Sequence, residues 1–224
     1  MHALLGHEER QPRMATVVPD PPLKLVVFLS SCRPSSEEMG QWGRLADRVG
    51  LFVRQQLQAR GHEVTVFDPK VHQLPLLVKA YHHYQPGGGE ARPALLEEMG
   101  GAVRAADGYV VVSAEYNHSI PPALSNMLDH FGASMYSYKP SAICTYSPGP
   151  WGGRHCAIQL RTLLTELGCL PVSNIFSVPD ARSAINEKGE CEERVLARFA
   201  KTLGQLEWYA HATRAHREKV GTPK

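Results

Sequence analysis

The sequence predicts an α/β domain with a five-stranded parallel sheet and helices on both faces. Two observations carry that prediction. Short apolar runs rich in β-branched residues alternate five times with longer helix-patterned stretches, as in a chain of strand–helix–strand units. No internal repeat or linker divides the 224 residues, a length sufficient for one large core and short for two.

The first strand is expected over residues 23–30 (LKLVVFLS), an apolar run closing in a polar turn. A helix follows over 37–60, with Leu45, Val49, Phe52, Val53 and Leu57 on one face and Gly61 as its stop. Residues 62–68 (HEVTVFD) alternate as a second strand. Residues 109–112, 139–146 and 174–178 give the third, fourth and fifth. Helices are expected over 93–106, from Pro121 or Pro122 to 134, over 153–168, and from 192 to about Arg217. The glycine-rich stretch 85–89 reads as a flexible insertion. Residues 1–22 read as a disordered extension ending at Pro21-Pro22, residues 23–212 as the folded domain and 213–224 as a flexible tail.

Composition narrows the function. Hydrophobic residues make up 43% and charged residues 21%, as in an ordinary globular protein. A formal net charge of +2 provides no electrostatic ground for binding nucleic acid or an anionic membrane. The basic cluster at Arg214, His216, Arg217 and Lys219 reads as a solvated helix end. No apolar stretch approaches the ~20 residues of a membrane span, and acidic Glu8 and Glu9 argue against a signal peptide. Five cysteines, an odd number without a C-x-x-C pair, fit a reducing, cytoplasmic setting. Cys144, inside a strand, is expected to be a buried small hydrophobe, and Cys32 a bystander rather than a reactive thiol.

In an open parallel sheet, ligands bind beyond the carboxyl ends of strands where the strand order reverses. That draws attention to three loops. Residues 30–36 (SSCRPSS) join a strand to a helix and offer hydroxyls, Arg33 and helix N–H groups, a combination suited to a phosphate. Ser35 with Glu38 also fits a capping box, and Glu37 and Glu38 would repel an anion. Residues 114–122 (AEYNHSIPP) form an irregular polar segment after an apolar strand. There Tyr116 could cover a planar ring, and backbone groups around Glu115 and Asn117 could bond a heterocycle edge; a turn with Asn or Ser capping explains the segment equally well. Residues 147–154 (SPGPWGGR) pair two glycines at the start of a helix, whose positive end suits a negatively charged ligand edge. His118 and His155 have no identifiable partner and are expected to be structural or surface residues. His82 and His83 lack further ligands at metal spacing, so no metal site is expected. G-x-G-x-x-G after a strand, the P-loop and G-x-S-x-G are all absent.

Residues 115–129 read E-Y-N-H-S-I-P-P-A-L-S-N-M-L-D. They closely follow a signature, approximately P-E-Y-N-x-S-x-P-x-x-L-K-N-x-[IL]-D, of the NADPH-dependent FMN reductase family. Together with Ser31 and Arg33, and with Gly152-Gly153-Arg154 leading to Gln159-Leu160-Arg161, the chain resembles that family over residues 23–207. The resemblance implies a flavodoxin-like three-layer sandwich of strand order 2-1-3-4-5. It implies FMN as cofactor, its phosphate held by Ser31, Arg33 and Ser36. Glu115, Tyr116, Asn117 and Ser119 would line the isoalloxazine, and Ser147, Gly149, Trp151, Gly152 and Gly153 its other edge.

The flavin, rather than a catalytic side chain, would carry the chemistry: hydride from NADPH (or NADH), then ping-pong transfer to a small acceptor such as a quinone, azo compound or free flavin. A homodimer is also implied. Three positions depart from the pattern: Ser30 for glycine, Ala114 for proline and Ser125 for lysine. An electron carrier or sensor without turnover, and a degenerate domain that has lost flavin, stand as alternatives.

Overall fold

A computed structural model describes residues 20–84 and 90–223. The expected extension up to residue 19, the insertion at 85–89 and Lys224 lie outside them. Five parallel strands, β1 (Lys24–Leu29), β2 (Glu63–Phe67), β3 (Gly108–Ala114), β4 (Pro140–Tyr146) and β5 (Leu170–Val178), form one sheet of order β2-β1-β3-β4-β5. This is the flavodoxin-like arrangement. β3 and β4 are buried along their whole length, as central strands covered on both faces must be.

Eight α-helices occur among the described residues: α1 (Ser36–Met39), α2 (Ala46–Ala59), α3 (Ala94–Ala105), α4 (Pro122–Asp129), α5 (Ala133–Tyr136), α6 (Arg154–Glu166), α7 (Ala181–Ala184) and α8 (Glu193–Val220). Side chains along a strand alternate between faces, so β1 feeds two cores. Leu25, Val27 and Leu29 pack with Phe52, Leu57, Phe199 and Leu203 of α2 and α8. Val26 and Phe28 pack with Met99, Leu124, Leu128 and Leu160 of α3, α4 and α6. Cys144 is fully buried, as expected.

The structure corrects the expected elements in four places. The helix expected over 37–60 is interrupted: α1 is a single turn, a 3-10 turn follows at Gly40–Trp42, and α2 starts only at Ala46. Gly43 permits that break, because a Cβ there would stand 2.3 Å from Ser36 Cα. The helix expected to reach 134 stops at Asp129, and the His130 carbonyl accepts from Tyr81 N–H at 2.7 Å. β5 begins four residues early, at Leu170; Pro171 conceals this in the sequence, since proline is tolerated in an edge strand such as β5.

The fourth correction is at the C-terminus. α8 continues to Val220 through the expected tail, and its basic cluster is not simply solvated. Arg214 and Arg217 both reach Asp107, at 3.2 and 3.6 Å, and Arg217 donates to the Tyr138 carbonyl at 2.9 Å. These bonds tie the last turns of α8 to the start of β3.

Arg44 sets the path between α1 and α2. Its buried guanidinium donates to the Ser31 carbonyl at 2.6 Å, to Asp47 Oδ1 at 2.7 Å and to Asp68 Oδ1 at 2.8 Å. Burial alone would raise the Asp68 pKa, but the Arg44 bonds outweigh it and hold the carboxyl below its ordinary value. A carboxylate depressed in this way stabilises the fold above its unfolded pKa, and the gain is lost as pH falls through the folded value. Arg44→Met is therefore expected to cost about 3–5 kcal/mol near pH 7. The gap from the parent protein should narrow as pH falls, first above pH 3.8 as the stranded Asp68, raised by burial without Arg44, is protonated, and then below 3.8 as Asp68 of the parent is protonated. Urea melts at several pH values measure both effects.

Candidate functional site

Strand order reverses between β1, whose next strand in sequence lies on one side, and β3, whose next lies on the other. A cleft of about 730 Å³ opens at the carboxyl ends of these strands and β4, within the size range of small-molecule sites. Ser31 and Arg33 line it from the first loop, Trp42, Gly43, Arg44 and Leu45 from the turn before α2, Ala114 from the end of β3, and Glu115, Tyr116 and Asn117 from the loop after it. Tyr146, Pro148 and Arg182 complete the wall.

The ends of β1 and β3 are stitched together. Ala114 N–H donates to Ser30 Oγ at 2.8 Å, and the Ser31 and Tyr116 hydroxyls share a hydrogen bond of 2.8 Å. The Arg33 guanidinium stands over the Tyr116 ring, 4.6 Å from its centroid. Ser30 is not among the residues of positive φ, so serine in place of glycine introduces no backbone strain there. Among the described residues neither Arg33 nor Arg182 pairs with a carboxylate. Glu38, expected to repel an anion, accepts from the Ser35 N–H and hydroxyl and pairs with Lys70, which holds its carboxyl down at about 2. Burial and then Asp68 raise the Cys32 thiol above its usual pKa against the pull of Arg44, so the site does not activate it.

The loop after β3 makes a tight hairpin. Tyr116 and Ser119 exchange backbone hydrogen bonds of 3.1 and 2.9 Å around Asn117 and His118, whose φ values are +50° and +61°. Two adjacent left-handed residues are what a type I′ turn requires. Ser119 Oγ turns away to Gln159 Oε1 at 2.8 Å. Glu115 Oε2 accepts from Cys156 N–H at 2.9 Å in the first turn of α6. The helix end expected to face a ligand's negative edge is thus met by the protein's own carboxylate.

Ser147 organises the glycine loop. Its hydroxyl donates to the Gly149 carbonyl at 2.8 Å and accepts from Gly152 N–H at 2.9 Å. Gly153 has φ +78°, and a Cβ there would meet Thr145 Cβ at 2.9 Å. The structure therefore brings Ser31, Arg33, Glu115, Tyr116 and Asn117 into one cleft, with Ser147, Gly149, Gly152 and Gly153 shaping the loop beside it. Ser36 lies in an adjoining depression that shares Arg182. Trp151 is two-thirds exposed and does not line the cleft.

Sequence reasoning missed Arg44, Arg182, Trp42 and Tyr146. Tyr146 had a usable signal, a phenol closing an expected strand at the sheet's carboxyl end; the others come from turns whose geometry only the folded chain reveals. Tyr146 Oη is buried beside Ser30 yet lacks a hydrogen bond of good geometry, and burial pushes its pKa up. A buried phenol without a hydrogen bond and two cations without carboxylate partners among the described residues fit a polar, anionic ligand such as FMN.

The family model for NADPH-dependent FMN reductases matches residues 23–183. An FMN-dependent NADH:quinone oxidoreductase of Shewanella loihica is 35% identical over 193 residues, covering 76% of this chain and 95% of that protein. The quinone reductase of Escherichia coli K12 is 37% identical over 84 residues, which are 36% of this chain and 45% of that relative's length. The chain thus spans less than half of that relative. The flavoenzyme NAD(P)H:(acceptor) oxidoreductase FerB from Paracoccus denitrificans shares the fold, with a TM-score of 0.61 at 19% identity over 87% of this chain and 98% of that one. The chain belongs to the NADPH-dependent FMN reductase family.

Proposed function

We propose that this protein is an FMN-dependent oxidoreductase that takes electrons from NADPH (or NADH) and delivers them to a small acceptor. The observation that carries the reading is the cleft at the switch point, where two arginines without carboxylate partners among the described residues and a hydroxyl-bearing strand end face a tight polar turn. FMN, when bound, would supply the chemistry: acceptance of hydride from NAD(P)H and, in a ping-pong sequence, donation of electrons to a quinone, azo compound or free flavin. Ser31 and Arg33, joined by Arg182 and with Ser36 beside them, bind the phosphate. To hold the phosphate, the Ser31 hydroxyl would give up its bond with Tyr116 for one to the anion. Glu115, Tyr116 and Asn117 border the ring system on one side. Pro148 and the loop of Ser147, Gly149, Gly152 and Gly153 border it on the other, with Ser119 and Trp151 supporting these walls from outside the cleft.

Two copies are proposed to pair. Leu76 and Val78, 82% and 86% exposed, supply unpartnered apolar surface for such a contact. Five free thiols and the lack of any membrane-crossing helix among the described residues support a reducing cytoplasmic setting.

Anaerobic titration tests the function. The FMN-loaded protein should lose its yellow colour on adding NADPH and regain it with a quinone. Protein that stays colourless in excess FMN would overturn the assignment; coloured protein that NADPH does not bleach would favour the electron-carrier reading. Arg33→Ala should weaken FMN binding roughly 10- to 100-fold, the loss of a charge-assisted hydrogen bond of about 1.5–3 kcal/mol. Equal FMN affinity in parent and variant would remove Arg33 from the phosphate site. Gly153→Ala forces a side chain into both a left-handed backbone and the Thr145 methine. It should cost about 1–3 kcal/mol in thermal stability and weaken FMN retention.

A further inference from the structure

We propose that Glu115, His118 and His155 form a binding site for one divalent transition-metal ion of the Zn²⁺ class at the edge of the cleft. The carboxylate and the two imidazoles place one ligand atom each within 4.8 Å of one another. They come from two elements, the tight turn after β3 and the first turn of α6. The set is therefore made by the fold, not by neighbours in sequence.

Three features make this a built site. First, the Glu115 side chain is only 11% exposed, and one of its oxygens is already fixed by Cys156 N–H. The other, Oε1, faces His155 Nδ1 at 3.5 Å. A tetrahedral ion with bonds of about 2.0–2.1 Å holds its ligand atoms about 3.3 Å apart, so this pair already stands near the required separation. Second, the His118 and His155 rings lie 4.2 Å apart at an interplanar angle of 24°. Both are exposed, so small rotations suffice to close them on an ion without disturbing the core. Third, among the described residues no lysine or arginine pairs with Glu115, which leaves a largely buried carboxylate short of positive charge.

Nitrogen ligands from two histidines with one carboxylate oxygen suit Zn²⁺, Cu²⁺, Ni²⁺ or Co²⁺ rather than Mg²⁺ or Ca²⁺. Three protein ligands leave a coordination position for water. The hydrogen bond from Cys156 to the far carboxylate oxygen orients the ligand from behind, as second partners of metal ligands do. The bound ion clamps the turn of Asn117 and His118 to α6 and offsets the Glu115 charge where it lines the cleft. The site stands independently of the redox assignment, because none of its ligand atoms belongs to a flavin.

Calorimetric titration of the full chain with Zn²⁺, in FMN-free and FMN-supplemented samples, tests it. One ion per chain is expected, with a rise in melting temperature that grows with Zn²⁺ concentration. His155→Gln and His118→Asn should each weaken binding at least tenfold; asparagine is chosen at 118 because it tolerates the left-handed backbone there. His82→Gln is the control, since His82 and His83 form another close ring pair, 4.1 Å apart, with no third ligand among the described residues. It should bind Zn²⁺ like the parent. Co²⁺ should give a ligand-field spectrum of low symmetry in the parent and lose it in both site variants. Equal Zn²⁺ affinity in the parent and both site variants, or a loss in His82→Gln as large as in His155→Gln, overturns the proposal.

Discussion

The cleft depends on one buried cation. Arg44 projects into the space between β1, β2 and α2, and its guanidinium is shared by the Ser31 carbonyl, Asp47 and Asp68. Burying an arginine is costly unless every donor finds a partner, and here satisfying those donors dictates the local path of the chain. The helix that hydrophobic spacing favours over 37–60 gives way at Gly40–Trp42, and the released segment forms one wall of the cleft. The same guanidinium holds the Ser31 carbonyl, so the serine and Arg33 are presented from a fixed base. Local helix propensity is worth only tenths of a kcal/mol per residue. A buried charge left unpaired costs several kcal/mol, so pairing Arg44 prevails over continuing the helix.

The electrostatics of the cleft are uneven. Arg33 and Arg182 contribute positive charge without carboxylate partners among the described residues, while Glu115 contributes a negative charge engaged by the α6 N-terminus. A carboxylate at a helix N-terminus is stabilised by the dipole, so α6 offsets part of the cost of burying Glu115. The consequence is that α6 cannot offer the same N–H to an anionic ligand without displacing that side chain. The first loop is limited too, because α1 is a single turn with little dipole of its own. Anion affinity must therefore rest on the arginines and hydroxyls more than on helix ends.

Much of the architecture was legible because it follows from periodicity. Five apolar runs and their connecting amphipathic stretches place every strand, and strand order follows from the family resemblance. What escaped was set by long-range polar bonds. The extension of α8 to Val220 depends on Asp107 meeting Arg214 and Arg217, residues more than a hundred positions apart. The early start of β5 was hidden by Pro171. For the site, residues 115–129 were the clearest signal, yet Glu115, Tyr116 and Asn117 alone of them line the cleft. Leu124 and Leu128 are core. Asn126 clasps residues 75–77 through its bonds to the Pro75 carbonyl and Leu77 N–H. A long motif thus records a fold as much as a ligand.

The departures from the family pattern bear on the same distinction. Serine at 30 brings no positive φ with it and adds a bond from Ala114 N–H that a glycine could not accept through a side chain. That bond joins the carboxyl ends of β1 and β3 directly beneath the cleft, where two loops of different origin must keep a common register. Alanine at 114 leaves that N–H available, whereas a proline there would remove the donor. The two departures are therefore coupled: the Ser30 hydroxyl needs the amide that Ala114 retains. Singly, each looks like erosion of a binding loop. As a pair, they replace backbone stiffness with a hydrogen bond across the switch point.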